Sequence, residues 1–212
     1  MPTTTRGRRK PTGGARRPLT ADARVRKQQL LDVAARLFKE RGYHGATLQD
    51  VADEIGVTRS ALYHYFSSKE EILYLLAQQA LKEAAAGFQE IFQSDAPPDE
   101  KMRGAIRRYI HDMIRLGSNF WVILSEGEQN LPPRRYKRIH ELLREQDALF
   151  QKMFQDGVQS GKFYDLNPKL AVFAMAGMCN WLSRWYKMDG EHNPNSVADT
   201  FLHLLEHGYL RG

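Results

Sequence analysis

Residues 47–66, Thr47-Leu48-Gln49-Asp50-Val51-Ala52-Asp53-Glu54-Ile55-Gly56-Val57-Thr58-Arg59-Ser60-Ala61-Leu62-Tyr63-His64-Tyr65-Phe66, decide the fold. Thr47 is a helix N-cap type with Asp50 three residues on, the spacing of a capping box. Leu48, Val51, Ala52 and Ile55 then recur at helical spacing until Gly56 stops the run. Gly56, Val57 and Thr58 form a tight turn, Thr58 caps a second short helix, and Leu62 and Phe66 share its inner face. Two short helices joined in this way read as helix-turn-helix. Arg59, Ser60, Tyr63 and His64 fall on the opposite face, where such side chains can hydrogen-bond bases or phosphates or stack on sugars. The second short helix is therefore the candidate recognition helix.

Upstream, Thr20 and Asp22 are N-cap types, and Leu30, Ala34, Leu37 and Phe38 form one face of a helix that Gly42 ends. Downstream, Ser67 or Ser68 caps a fourth helix, with Glu70 and Glu71 placed for a capping box and Lys69 in a first turn suited to phosphate. Residues 1–27 carry nine Lys and Arg, Arg16 and Arg17 among them, against the lone Asp22. That arm is at +8, so a chain total of +6 leaves the remainder at −2. An arm rich in Arg, Gly, Pro and Thr cannot offset its ordering entropy by burial, but it can neutralise phosphates and release counterions on DNA. A solubilising or anionic-lipid-binding tail is the alternative reading of the arm alone.

The run from Ala46 to Ala52, then Gly56 to Phe66 and Ser68-Lys69-Glu70, resembles the signature of the TetR family of regulators, over about 50 residues from Arg24 to Leu76. The resemblance implies a homodimer on double-stranded palindromic operator DNA, most often a repressor released by a small-molecule inducer. It places Arg59, Ser60, Tyr63 and His64 in the major groove, and Thr47, Thr58 and Lys69 on the backbone, with Gln49 as an addition. Tyr63 packed on the first helix, or His64 merely solvated, are the plainer alternatives.

Breaks at Ala96-Pro97-Pro98, Gly117-Ser118-Asn119, Leu131-Pro132-Pro133, Gly161 to Pro168 and Asp189 to Pro194 predict helices near 69–93, 99–116, 119–127, 133–160, 168–187 and 195–208. With the first three this makes nine, an all-α chain without strand pattern or repeat. Three parts are expected: a basic disordered arm over 1–20, a helix-turn-helix DNA-binding domain over 21–68, and a helical ligand-binding and dimerisation domain over 69–212. From residue 76 on, seventeen basic residues balance seventeen acidic ones, so no second nucleic-acid surface is indicated.

The segment from Pro168 is apolar nearly all round and must be covered on two sides. One side is its own domain; the other is expected to be a partner copy, through Phe173, Cys179 and Leu182 with Val197, Phe201, Leu204 and Leu205 of the last helix. A helix buried within a monomer is the alternative. Tyr109, Met113, Phe120, Trp121, Met153, Met178 and Trp181 could line an apolar ligand pocket or simply fill a core. Asn180-Trp181-Leu182-Ser183-Arg184-Trp185-Tyr186-Lys187 with Asp189-Gly190, Pro194 and Phe201 resembles a TetR subgroup that regulates fatty-acid and steroid breakdown. That likeness implies an acyl-CoA inducer, with Arg107, Arg108, Arg134, Arg135 or Arg184 for its phosphates.

His203-Leu204-Leu205-Glu206-His207 matches the H-x-x-E-H pattern of one zinc-protease group, but no acid follows His207 to complete a metal site. There is no P-loop and no G-x-G-x-x-G; no cofactor, metal or catalytic set is expected. The single Cys179 excludes an intramolecular disulfide, and the basic N-terminus lacks an apolar segment, so a cytoplasmic protein is expected. The longest apolar run, residues 170–179, falls short of the roughly 20 residues of a membrane span. An architectural DNA-binding dimer without ligand control is the competing function.

Overall fold

The computed structural model describes residues 20–116, 128–187 and 189–209, and among them the chain is helical without a strand. Among the described residues the helices follow in the order α1 (Ala21–Gly45), α2 (Leu48–Glu54), α3 (Arg59–Tyr65), α4 (Lys69–Gln93), α5 (Pro98–Leu116), α6 (Pro133–Gln159), α7 (Pro168–Asn180), α8 (Leu182–Trp185) and α9 (Pro194–Tyr209). The helix expected over 119–127 lies outside the described residues, as do Arg16, Arg17, Phe120 and Trp121.

The first four helices each start on a hydroxyl. Thr20 accepts from the Ala23 N–H at 3.3 Å, Thr47 from Asp50 at 3.1 Å, Thr58 from Ala61 at 3.1 Å and Ser68 from Glu71 at 3.2 Å. Each satisfies a backbone donor that helix geometry leaves free, a contribution of about 1 kcal/mol. Asp50 completes the capping box by accepting the Thr47 N–H at 2.7 Å. Gly56, at φ 68°, lets the Val57 N–H reach the Ala52 carbonyl at 2.9 Å and closes α2 in the left-handed turn that leads into α3. Gly42, at φ 74°, interrupts α1 where the sequence puts its end, and a further turn carries the helix to Gly45.

Around Leu30, Leu37, Phe38, Val51, Leu62 and Phe66, all buried, α1, α2 and α3 close into one unit. α4 leaves that unit and packs along α6 and α5. α5 lies at the centre of the larger bundle, touching α4, α6, α7, α8 and α9, with Met102, Ala105, Ile106, Ile110 and Met113 buried. Phe163 folds back over Gly157, where a Cβ would stand 2.1 Å from its ring, and packs against Phe154 at 5.2 Å.

The helix expected over 168–187 is broken. The Ser183 hydroxyl donates to the Asn180 carbonyl at 2.7 Å, and the Arg184 N–H turns to Trp181 at 3.0 Å. The regular bond from Arg184 to Asn180 is thereby replaced, which ends α7 and starts the single turn α8.

Candidate DNA interface and ligand cavity

Thr47, Gln49, Thr58, Arg59, Ser60, Tyr63 and His64 all lie exposed on the α2–α3 side of the first unit. Tyr63 is 42% exposed although aromatic, and its ring is not packed away on α1. Its hydroxyl accepts from Arg59 Nη2 at 3.2 Å, and the same guanidinium stands 5.7 Å from its ring centroid. The pair holds a planar cation and an aromatic ring together along the exposed face of the recognition helix, the kinds of side chain that read base edges. Gln49 donates to Asp53 at 2.6 Å, and the Thr47 hydroxyl donates to Asp50 at 2.6 Å, so each would exchange one contact on meeting phosphate. Lys69 stands in the first turn of α4 with its ammonium 4.3 Å from the Tyr43 centroid and 5.8 Å from Phe38. Burial draws its pKa below the usual lysine value.

Behind this face the α3–α4 junction is tied to the larger bundle. Glu71, buried at the start of α4, accepts the Ser67 N–H at 2.7 Å and the Ser67 hydroxyl, and pairs with Arg135 Nη2 of α6 at 3.5 Å. Arg135 also lies over the Tyr74 ring at 5.2 Å. Burial alone would raise the Glu71 pKa, but the two Ser67 bonds and the Arg135 and Lys27 charges outweigh it and hold the carboxyl below its usual value.

Deeper in the bundle, α5, α6 and α7 enclose a small chamber of about 10 Å³ lined by Ile106, Tyr109, Phe150, Val172, Met175 and Cys179, with Gln146, Asp147 and Ala176. Tyr109, Asp147 and Ala176 also border an open mouth of about 310 Å³, whose other walls include His140, Arg144, Phe173, Gly177 and Asn180. The Tyr109 hydroxyl donates to Asn180 Oδ1 at 2.8 Å, and burial pushes its pKa well above the ordinary phenol value. Tyr109, Phe88 and Phe150 meet edge to face or tilted, with centroids 4.9–6.2 Å apart, so that Phe88 backs the two rings that line the chamber.

Of the residues expected to line a pocket, Tyr109 does so; Met113 and Met153 are buried in the core, Met178 is partly buried, and Trp181 is 56% exposed at the α7–α8 break. Trp181 stands outside the chamber because the α7–α8 break and the outward face of α7 carry it to the surface.

The residues expected at a dimer face divide in two. Phe173 and Leu204 are exposed, with Phe201 and Leu205 partly so. Cys179, Leu182 and Val197 are instead buried inside one chain, Cys179 facing the chamber. The exposed large apolar residues here are instead Leu170 and Phe173 on α7, Trp181 at the α7–α8 break, Trp185 on α8 and Leu204 on α9, with Gly177 of α7 also exposed.

The arginines suggested for a ligand's phosphates are mostly engaged. Arg107 pairs with Asp199 at 2.6 Å, Arg108 with Asp112 at 2.9 Å, Arg135 with Glu71, and Arg184 lies over Trp181 at 5.6 Å. Arg144, at the mouth itself, carries no ion pair among the described residues and was not singled out by sequence. An exposed arginine on an amphipathic helix looks like any solvated one until the fold puts it beside a cavity.

His203 and His207 are exposed one turn apart on α9, and Glu206 is taken by Arg103. Among the described residues no group of three potential metal ligands forms, and no helix is long and apolar enough to cross a membrane.

Comparison with known proteins agrees with this geometry. Residues 30–74 match the family described as bacterial regulatory proteins, tetR family, and residues 95–209 match the tetracyclin repressor-like C-terminal domain. The HTH-type transcriptional repressor KstR2 of Mycobacterium tuberculosis is 28% identical over 188 residues, 88% of this chain and 94% of its own. A crystal structure of a TetR/AcrR regulator from Thermobifida fusca superposes with a TM-score of 0.74 at 30% identity, covering 88% of this chain and all of that one. AibR, solved with isovaleryl coenzyme A and operator DNA, superposes with a TM-score of 0.73 at 25% identity, over 84% and 97% of the two chains. Regulators of this kind bind operator DNA as dimers. With the helix-turn-helix, the helical second unit and both family matches in agreement, the chain belongs to the TetR family of transcriptional regulators.

Proposed function

We propose that the chain is a repressor, released from a palindromic operator when an acyl-coenzyme A thioester enters the cavity between α5, α6 and α7. The observation that carries this reading is the amphipathic shape of the cavity. An apolar chamber runs through Tyr109, Asp147 and Ala176 into a mouth that bears the free cation Arg144 and His140. Apolar walls suit an acyl chain, and a cation at the mouth suits phosphate. AibR, which carries an acyl-coenzyme A in its solved complex, lends further support.

Residues 21–68 read the DNA, residues 69–212 dimerise and bind the ligand, and the basic arm adds phosphate contacts. The protein acts by binding rather than by catalysis, and in the cytoplasm; membership in a family of transcriptional regulators supports both.

At about 10 Å³ the chamber has room for roughly one water, so an acyl chain fits only a conformer in which α6 or α7 has shifted. α6 carries Gln146, Asp147 and Phe150 at the chamber and Arg135 on Glu71 at its other end. A shift of α6 therefore pulls on the residue that holds Ser67, just beyond the recognition helix. Two recognition helices must match half-sites on one face of DNA, so a small change of spacing costs contacts on both sides.

Selection of genomic fragments with purified protein, followed by titration of the recovered site with a panel of acyl-coenzyme A thioesters, tests this reading. A palindromic site released by one thioester is expected. Fragments without a common sequence favour the architectural reading, and a palindrome released by no thioester refutes the inducer class.

A further inference from the structure

Two polar side chains that line the chamber make no hydrogen bond or ion pair among the described residues. Gln146 is only 5% exposed, and its amide makes no hydrogen bond among the described residues. Asp147, next to it on α6 and bordering both chamber and mouth, has neither a hydrogen bond nor an ion pair there. Arg144, one turn earlier, makes no ion pair with the Asp147 carboxylate, and the hydroxyl proton of Tyr109, which also lines the chamber, is committed to Asn180. Burial pushes the Asp147 carboxyl above the usual carboxylate value, as a group with no compensating donor must show.

Gln146 is almost enclosed and Asp147 half-buried, and the polar atoms of neither are sealed from solvent, so both stay open to whatever enters from the mouth. The free capacity of this pair is mostly acceptor: two carboxylate oxygens, the Gln146 carbonyl and the remaining lone pair of Tyr109. Hydrophobic fit discriminates weakly between ligands that differ by one polar group. A site built to hydrogen-bond a ligand's O–H or N–H discriminates strongly.

We propose that Gln146 and Asp147 form a receptor for a hydrogen-bond donor on the ligand, so that the cavity selects a donor-bearing thioester and not merely an acyl chain of the right size. This rests on the acyl-coenzyme A reading above. The donor is a neutral O–H or N–H within reach of the chamber, and the thioester has two sources of one: a hydroxyl on the acyl chain or an amide of the pantetheine arm.

Calorimetric titration of the full chain with butyryl-coenzyme A and 3-hydroxybutyryl-coenzyme A, for the wild type, Asp147→Leu and Gln146→Leu, separates the outcomes. Operator binding without ligand reports that each variant is folded, and Asp147→Ala, which also removes both acceptor oxygens, serves if Asp147→Leu does not fold. A hydroxyl donor gives the wild type about a tenfold preference for the hydroxylated thioester, which Asp147→Leu abolishes and Gln146→Leu reduces. An amide donor makes the two thioesters bind alike and weakens both about tenfold in Asp147→Leu. Binding of both thioesters within twofold of wild type in the Asp147 variants overturns the receptor while leaving the inducer class intact. If neither these thioesters nor any of the wider panel binds the wild type, the inducer class itself falls and the receptor with it.

Discussion

Tyr63 joins local geometry to function most directly. A large aromatic left 42% exposed and held by Arg59 is poised for a partner. Tyr63→Ala should cost specific operator binding about 1–3 kcal/mol and leave non-specific binding nearly unchanged, as read by anisotropy on operator and scrambled duplexes. Equal losses on both duplexes would make Tyr63 a phosphate contact. Gly157 presents the opposite case, a position where side-chain volume is forbidden. Gly157→Ala drives a Cβ into the buried Phe163 ring and should destabilise the fold by about 1–3 kcal/mol in urea, without change to the DNA face. Cys179 is held neutral by burial, its pKa pushed up to about 12 from an ordinary value of 9.0. The thiol ionises in the unfolded chain first, so its contribution to stability is intact below pH 9 and is lost as pH rises toward 12. Cys179→Ala should therefore unfold less steeply with pH over that window, and the native thiol should resist alkylation at neutral pH.

Among the elements, the short helices were the most legible in the sequence, because their ends are written in single residues. Thr47, Asp50, Gly56 and Thr58 each do in the structure what their types predict at those spacings. The region after residue 168 was less legible. A helix apolar on every side does not say which side faces its own core, so Cys179 and Leu182 could not be told from Phe173 by pattern. The break at Asn180 depends on where one serine hydroxyl points, which periodicity does not encode. Nor could the sequence bring Arg135 to Glu71, a contact spanning 64 positions. That contact carries an expectation of its own: Arg135→Ala should leave operator affinity within a few fold of wild type and blunt its release by the inducer. Full release in the variant would remove the α6–α4 connection from the account.

For the molecule as a whole, a single chain leaves five large apolar side chains, Leu170, Phe173, Trp181, Trp185 and Leu204, exposed within the last three helices and the α7–α8 break. We propose a second copy as their cover, since regulators of this kind bind operator DNA as dimers. Leu204→Glu with Trp181→Glu should shift the protein to monomer in sedimentation and abolish tight operator binding, while the helical far-ultraviolet signal persists. The mouth of the cavity includes the exposed Phe173 and Gly177 of α7. One measurement reaches the centre of the account: the ratio of affinities for the selected operator and a scrambled duplex at fixed salt, with and without the best thioester. A preference of about a thousandfold that collapses on adding the thioester is the expected result. A ratio near one without ligand, or one the thioester leaves untouched, would contradict the account.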